Sequence, residues 1–347
     1  MSQRAEFASD NCAGLCPDAL GYLLRANVGS APAYGQDEWT AGAASAIRDL
    51  FECDCEVFFV FNGTAANSLA IASLCQPYQA VICHEQAHIE TDECSAPGFF
   101  SHGVRLLTGA GDDGKLNRSA LEGLIKGRRD LHFPQVAALS LTQCTELGTV
   151  YTPHELETLC QLAREHGLSV HMDGARFANA VAALDVSPAD LSWRRGVSVL
   201  SLGATKIGGG LGEAVVFFDH ALARGFDYRC KQAGQLASKM RLLTAPWRGM
   251  LETGAFLHNA RHANDCAAYM EDRLLALTGL SPLFPRQANA VFLRLSERQA
   301  LSLRQRGWLF ALFAGVNAAR FMCAWDSRRE CIDALVEDIA EVMGEGV

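Results

Sequence analysis

The chain has 347 residues, is 49% hydrophobic and 20% charged, and carries 30 basic against 39 acidic side chains, a net charge of −9. This excludes a disordered or fibrous chain and disfavours a general nucleic-acid or anionic-membrane binder. The 13 cysteines are scattered, Cys53-x-Cys55 lacks a second pair for zinc, and neither a leader pattern nor a long apolar span is visible, so a cytoplasmic protein with reduced thiols is expected.

The first apolar run, 57–61, predicts a strand that stops at Asn62-Gly63. A helix is expected over 65–74, and backbone N–H groups at its start, with the Thr64 hydroxyl, make an anion cup. The bland reading is an ordinary helix capped by Thr64. Further strands are expected at 80–83, 104–107 and 136–142. Thr152-Pro153-His154-Glu155 reads as a capping box with proline in the first turn, and Gly167 closes that helix. The next strand, 168–172, delivers Asp173 at its C-terminal end, followed by Gly174-Ala175-Arg176. In open α/β sheets ligands bind at that edge. A carboxylate there can keep a heterocyclic nitrogen protonated, and Arg176 offers a planar fork for a carboxylate.

The run 197–202 ends just before Thr205-Lys206 and the cluster Gly208-Gly209-Gly210-Leu211-Gly212. An ammonium at such a place is costly to bury without a partner or a chemical job, and one such job is imine formation with a carbonyl. A strand-end lysine reaching solvent is the alternative. The glycines lack the spacing of a dinucleotide-binding loop. After a seventh strand, 214–218, the strand–helix rhythm fades. A long helix is expected through 257–277, then strands at 289–295 and 318–324. Ser327-x-x-Glu330 is read as capping a final amphipathic helix bearing Ile332, Leu335, Ile339 and Val342. The continuous apolar strands point to an α/β fold with a mainly parallel, doubly covered seven-stranded sheet. Residues 1–247, including an N-terminal segment, are expected to form the large domain, and 248–347 a smaller α+β domain.

Taken in order, Ser9-Asp10-Asn11, Tyr34-Gly35-Gln36-Asp37-Glu38, Asn62-Gly63-Thr64-Ala65-Ala66-Asn67, His88, Asp173-Gly174-Ala175-Arg176 and Lys206 resemble the threonine aldolases over nearly the whole chain. The likeness is to the bacterial branch acting also on phenylserine-type substrates. It implies a fold-type I, aspartate aminotransferase-like large domain with pyridoxal 5'-phosphate as cofactor. The activity it implies is aldehyde-lyase cleavage of L-threonine, L-allo-threonine or related β-hydroxy-α-amino acids to glycine and an aldehyde. By the same resemblance Lys206 would carry the cofactor, and Asp173 would pair with its ring nitrogen. Gly63, Thr64 and Ala65 would hold the phosphate, and His88 would stack on the ring and act as a base. Ser9, Arg176 and Arg320 would bind the substrate carboxylate. Tyr34 would enter from a neighbouring subunit, with Arg229 and Lys231 reaching a neighbour's phosphate, so a homo-oligomer, dimer or tetramer, is expected.

Many family members carry a histidine near Thr142–Gly148, whereas this chain reads Thr142-Gln143-Cys144-Thr145-Glu146-Leu147-Gly148. The general base therefore stays open between His88, a water near Glu146 and the cofactor phosphate. The competing readings are a β-eliminating lyase or aminotransferase on the same fold, and a catalytically silent relative. No metal site, nucleic acid or membrane partner is expected.

Overall fold

Seven strands share one sheet in the computed structural model, which describes residues 4–313 and 318–344. The outermost residues of the two expected domains, Met1 and Val347, lie outside that range. The strands are β1 (Glu56–Val60), β2 (Gln79–His84), β3 (Arg105–Gly109), β4 (Gln135–Thr142), β5 (Ser169–Gly174), β6 (Val199–Leu202) and β7 (Glu213–Phe217). Their order is β1-β7-β6-β5-β4-β2-β3. Neighbours are parallel except that β7 runs antiparallel to both β1 and β6. Each strand overlaps an apolar run expected from the sequence. Helices cover both faces, so these strands are continuous rather than alternating.

Register decides which residues meet. Thr142 of β4 lies opposite Asp173 of β5, and Gly174 opposite Leu202 of β6. Val60, the last residue of β1, lies opposite Glu213, the first of β7. The segments leaving β1, β2, β4, β5 and β6, and the segment entering β7, therefore gather at one edge of the sheet.

Local signals explain the helices. Thr152 and Glu155 form the expected capping box on Pro153–Glu165. The helix Gly63–Leu74 is capped by Asn62, whose Oδ1 accepts from Ala65 N–H at 2.9 Å, so Thr64 is not its cap. Ser327 does not cap the last helix, Arg329–Gly344, because its Oγ instead accepts from Ala324 N–H at 2.9 Å.

A second sheet holds β8 (Ala290–Arg294), β9 (Ala311–Phe313) and β10 (Ala318–Met322) in the antiparallel order β8-β10-β9. The three-residue β9 was not visible in the sequence, being too short to show a period. Its core gathers Leu293, Trp308, Phe321, Leu335 and Ile339, and the N-terminal segment adds Phe7. The helix Arg241–Thr253 contains position 248, and the helix Ala255–Thr278 feeds both cores, Phe256 into one and Met270 into the other. Among the described residues no helix is long and apolar enough to cross a membrane.

Candidate active site

At the gathered edge, Asp173 is buried and spends both oxygens: Oδ1 accepts from Ala175 N–H at 3.0 Å and Oδ2 from Asn67 Nδ2 at 2.8 Å. Asn67 also donates to Glu93 Oε1 at 2.8 Å, and the same oxygen lies 2.8 Å from His88 Nδ1. A polar chain Asp173–Asn67–Glu93–His88 thus links the helix after β1, the segment after β2 and the end of β5. Burial raises the Glu93 carboxyl above the usual range, against the hydrogen bonds from His88 and Asn67. The bond to Glu93 raises His88, against its partial burial, with the Asp173 and Glu146 charges adding to the rise. Ligand atoms of His88, Glu93 and Asp173 lie within 4.8 Å of one another, but the Asn67 amide donates into both carboxylates and closes the group as a hydrogen-bond chain.

Two residues before Asp173, and so on the same face of β5, His171 is fully buried between Ser140 Oγ at 2.9 Å and Ser201 Oγ at 3.0 Å. Burial pushes its pKa down to about 4, against the pull of Asp173. It is a neutral support under the acid.

Lys206 occupies a single 3-10 turn, Thr205–Ile207, and is half-buried. Three carboxylates act on it electrostatically: Asp10, Glu146 and Glu213. Glu146 stands on the turn closed by Gly148 N–H donating to Thr145 O at 3.0 Å. That turn is braced by the Thr145 and Thr149 hydroxyls, 2.7 Å apart. Burial raises the Glu146 carboxyl, with Arg176 opposing and Asp173 adding to the rise. Thus the loop that carries no histidine presents a carboxylate with raised proton affinity.

The two arginines differ. Arg176 forks onto Asp10, Nε to Oδ2 at 2.7 Å and Nη2 to Oδ1 at 3.0 Å, and Asn289 Nδ2 donates to the same Oδ2 at 3.1 Å. Burial would raise Asp10, but Arg176 outweighs it and holds the carboxyl below its ordinary value. Arg320, on β10, has a buried Nε with no hydrogen-bond partner. Burial first, then the neighbouring Arg176 charge, lowers its pKa. Its guanidinium carbon lies 5.4 Å from the Phe313 ring centre, and a buried N–H without an acceptor is costly, an arrangement that suits an anion. Ser9 caps the short turn Asp10–Cys12, its Oγ accepting from Asn11 N–H at 3.2 Å.

At the start of the helix after β1, Ala65 N–H is committed to Asn62, which leaves Gly63 and Thr64 to offer theirs outward. A Cβ built on Gly63 would meet nothing within 4 Å, so the cup opens into space. Of the remaining expected residues, Tyr34 and Lys231 come together on the surface, with Lys231 Nζ 4.8 Å from the Tyr34 ring centre. Tyr34 is 49% exposed. Arg229 and Lys231 lie on the helix Phe226–Gln232, and Gln235 just beyond accepts from Phe61 N–H at 3.0 Å. This ties their helix to the approach to the cup.

The residues present fit pyridoxal phosphate. The cup suits a phosphate, a buried carboxylate at a strand end suits a basic ring nitrogen, and a lysine one strand over suits an aldehyde. The orphaned Arg320 Nε leaves a place for a substrate carboxylate. Sequence reasoning missed Glu93 and Glu213 and gave Asn67 and His171 no role. Glu213 had a signal, a charge heading the apolar run Glu213–Phe217. Glu93 had none.

The beta-eliminating lyase family model matches residues 6–298. A low specificity L-threonine aldolase of Pseudomonas aeruginosa is 54% identical over 339 residues, 98% of each chain. Another of that name, from a Pseudomonas species, is 52% identical over 341 residues, 98% of this chain and 99% of the relative. The solved structure of Leishmania major threonine aldolase superposes with a TM-score of 0.89 at 30% identity, covering 97% of this chain and 98% of its own.

Proposed function

Because the chain belongs to the beta-eliminating lyase family, and within it to the threonine aldolases, we propose that it cleaves L-threonine, L-allo-threonine or related β-hydroxy-α-amino acids to glycine and an aldehyde with pyridoxal phosphate. It is an aldehyde-lyase on the fold-type I scaffold. The observation that carries this reading is that Asp173 and Lys206 leave adjacent parallel strands at one sheet edge. When bound, pyridoxal phosphate supplies an electron sink for the charge left on Cα as the Cα–Cβ bond breaks.

The residues take these parts. Lys206 is the attachment amine. Asp173 would hold a proton at the ring nitrogen, Gly63 and Thr64 would donate to the phosphate, and His88 would cover the ring. Arg320 binds the substrate carboxylate, with Ser9 and Arg176 beside it. Arg176 is already engaged by Asp10, so Arg320 carries most of that contact. An assay of both L-threonine and L-allo-threonine, scored for glycine and acetaldehyde, tests the reading. Release of pyruvate or a keto acid without aldehyde would move it to a β-eliminating lyase or an aminotransferase.

We assign the base for the β-hydroxyl proton to Glu146. It stands on the loop after β4, where burial raises its proton affinity and Asp173, His88 and Lys206 all act on it electrostatically. A base must be unprotonated, so turnover falls as pH drops through the carboxyl's raised pKa. Glu146→Gln is expected to lower kcat by about 10²-fold and flatten this acid limb without loss of bound cofactor. An unchanged acid limb in that variant would return the role to His88.

The protein is proposed to act in the cytoplasm as a homo-oligomer, a dimer or tetramer. The exposed Leu20, Leu24 and Val28, with Tyr34 and Lys231 displayed together, support a shared face on which Tyr34, Arg229 and Lys231 serve a neighbour's site. Monomers that stay fully active on dilution would contradict it.

A further inference from the structure

Glu213 is 6% exposed and heads β7 with apolar residues behind it, a costly place for a carboxylate. It ends beneath the turn that carries Lys206. Its Oε2 accepts from Ala204 N–H at 2.7 Å, and Thr205 lies close enough to lower its proton affinity. Burial raises its carboxyl, and the Lys206 charge is the first influence opposing that rise.

The turn is otherwise locked by close packing. Ile207 and Gly209 N–H both donate to Ala204 O, at 3.1 and 2.9 Å, and Asn259 Nδ2 holds Ile207 O at 2.9 Å. A Cβ on Gly203 would lie 2.6 Å from Ala175 O, and one on Gly209 would lie 2.7 Å from Ala204 O. Thus Gly203 lets the lysine turn press on the backbone beyond Asp173. Glu213 supplies what packing cannot, a charge.

We infer that Glu213 is a positioning residue for Lys206: it pins the lysine's turn through Ala204 N–H and sets a buried carboxylate beneath that turn. The inference rests on Lys206 being the attachment amine. Asp10, from the N-terminal segment, and Glu146, from the loop after β4, also act on Lys206. Asp10 is already matched by Arg176, which leaves Glu213 as the carboxylate under the lysine's own turn.

The test uses full-length holoenzyme and reads the protonation midpoint of the lysine-linked cofactor from its visible absorbance. A carboxylate beside a cationic nitrogen favours the charged form, so removing it moves the midpoint to lower pH. Glu213→Gln, which keeps an acceptor for Ala204 N–H and loses the charge, is expected to lower it by about one pH unit. Glu213→Asp, which keeps the charge on a shorter arm, is expected to leave the midpoint in place and lower kcat. An unshifted midpoint in Glu213→Gln overturns the inference. Failure of both variants to fold, judged by circular dichroism, also overturns it, since Glu213 would then be a structural residue. Borohydride fixation and peptide mapping of the parent keep the two questions apart. A parent unlabelled at Lys206 removes the attachment reading itself, whereas a labelled parent with an unshifted Glu213→Gln removes only the part given to Glu213.

Discussion

Lys206→Ala is expected to lower turnover of L-threonine by on the order of 10³-fold or more and to leave no cofactor that borohydride can fix to the chain. The reason is local. The turn carrying the lysine is fixed by Ala204, Asn259 and Glu213, so alanine leaves the turn in place and removes the amine. Alanine also leaves Asp10, Glu146 and Glu213 without the cation they share. Some activity could be lost through that imbalance alone. Lys206→Arg separates the two effects, because arginine keeps the positive charge and cannot form the imine. It is expected to fold like the parent and to be as inactive as the alanine variant. Recovery of turnover to within tenfold of the parent in Lys206→Arg would falsify a covalent role for Lys206.

Legibility in the sequence followed a physical rule. Asp173, Lys206 and the Asn62-Gly63-Thr64 segment each end an apolar run, and a buried strand must deliver its next residues to the sheet edge. Those positions could be read because period and composition mark strand ends directly. Glu93 could not, since nothing along its own segment says that Asn67, on a helix after a different strand, will meet it. The N-terminal trio Ser9-Asp10-Asn11 shows the same limit. Any of the three can cap a turn, and only the fold makes Ser9 the cap and Asp10 the partner of Arg176. Ser327 was misread because a serine that caps and one that accepts from a preceding N–H leave the same trace in sequence. Glu213, one residue ahead of the expected strand 214–218, carried a readable signal as a charge at the head of an apolar run.

Asp173→Asn is expected to fold, to bind less cofactor and to lower kcat by about 10²–10³-fold, the scale seen when one preorganised polar partner is removed from a developing charge. The change is nearly isosteric, so the loss is electrostatic: a neutral amide cannot hold a proton on the ring nitrogen as a carboxylate does. The surroundings then respond in a defined way. Asn67 Nδ2 now donates to Asp173 Oδ2 and Glu93 Oε1 together. If the new amide turns its own Nδ2 toward Asn67, two donors face each other. Asn67 relieves that clash by flipping, but its Oδ1 would then face Glu93, which must carry a proton to donate. Burial has already raised the Glu93 carboxyl, so a proton there is accessible. The rearranged chain would place the Glu93 proton toward Asn67 and leave the Glu93–His88 contact altered. Alongside reduced kcat, the pH dependence of turnover should therefore shift in Asp173→Asn, and a second change, Glu93→Gln, should not add its full separate loss because both act through Asn67. Strict additivity of the two losses, measured as a double-mutant cycle on kcat/KM, would break the chain between Asp173 and His88. An Asp173→Asn enzyme within tenfold of the parent would remove the acid from the chemistry altogether.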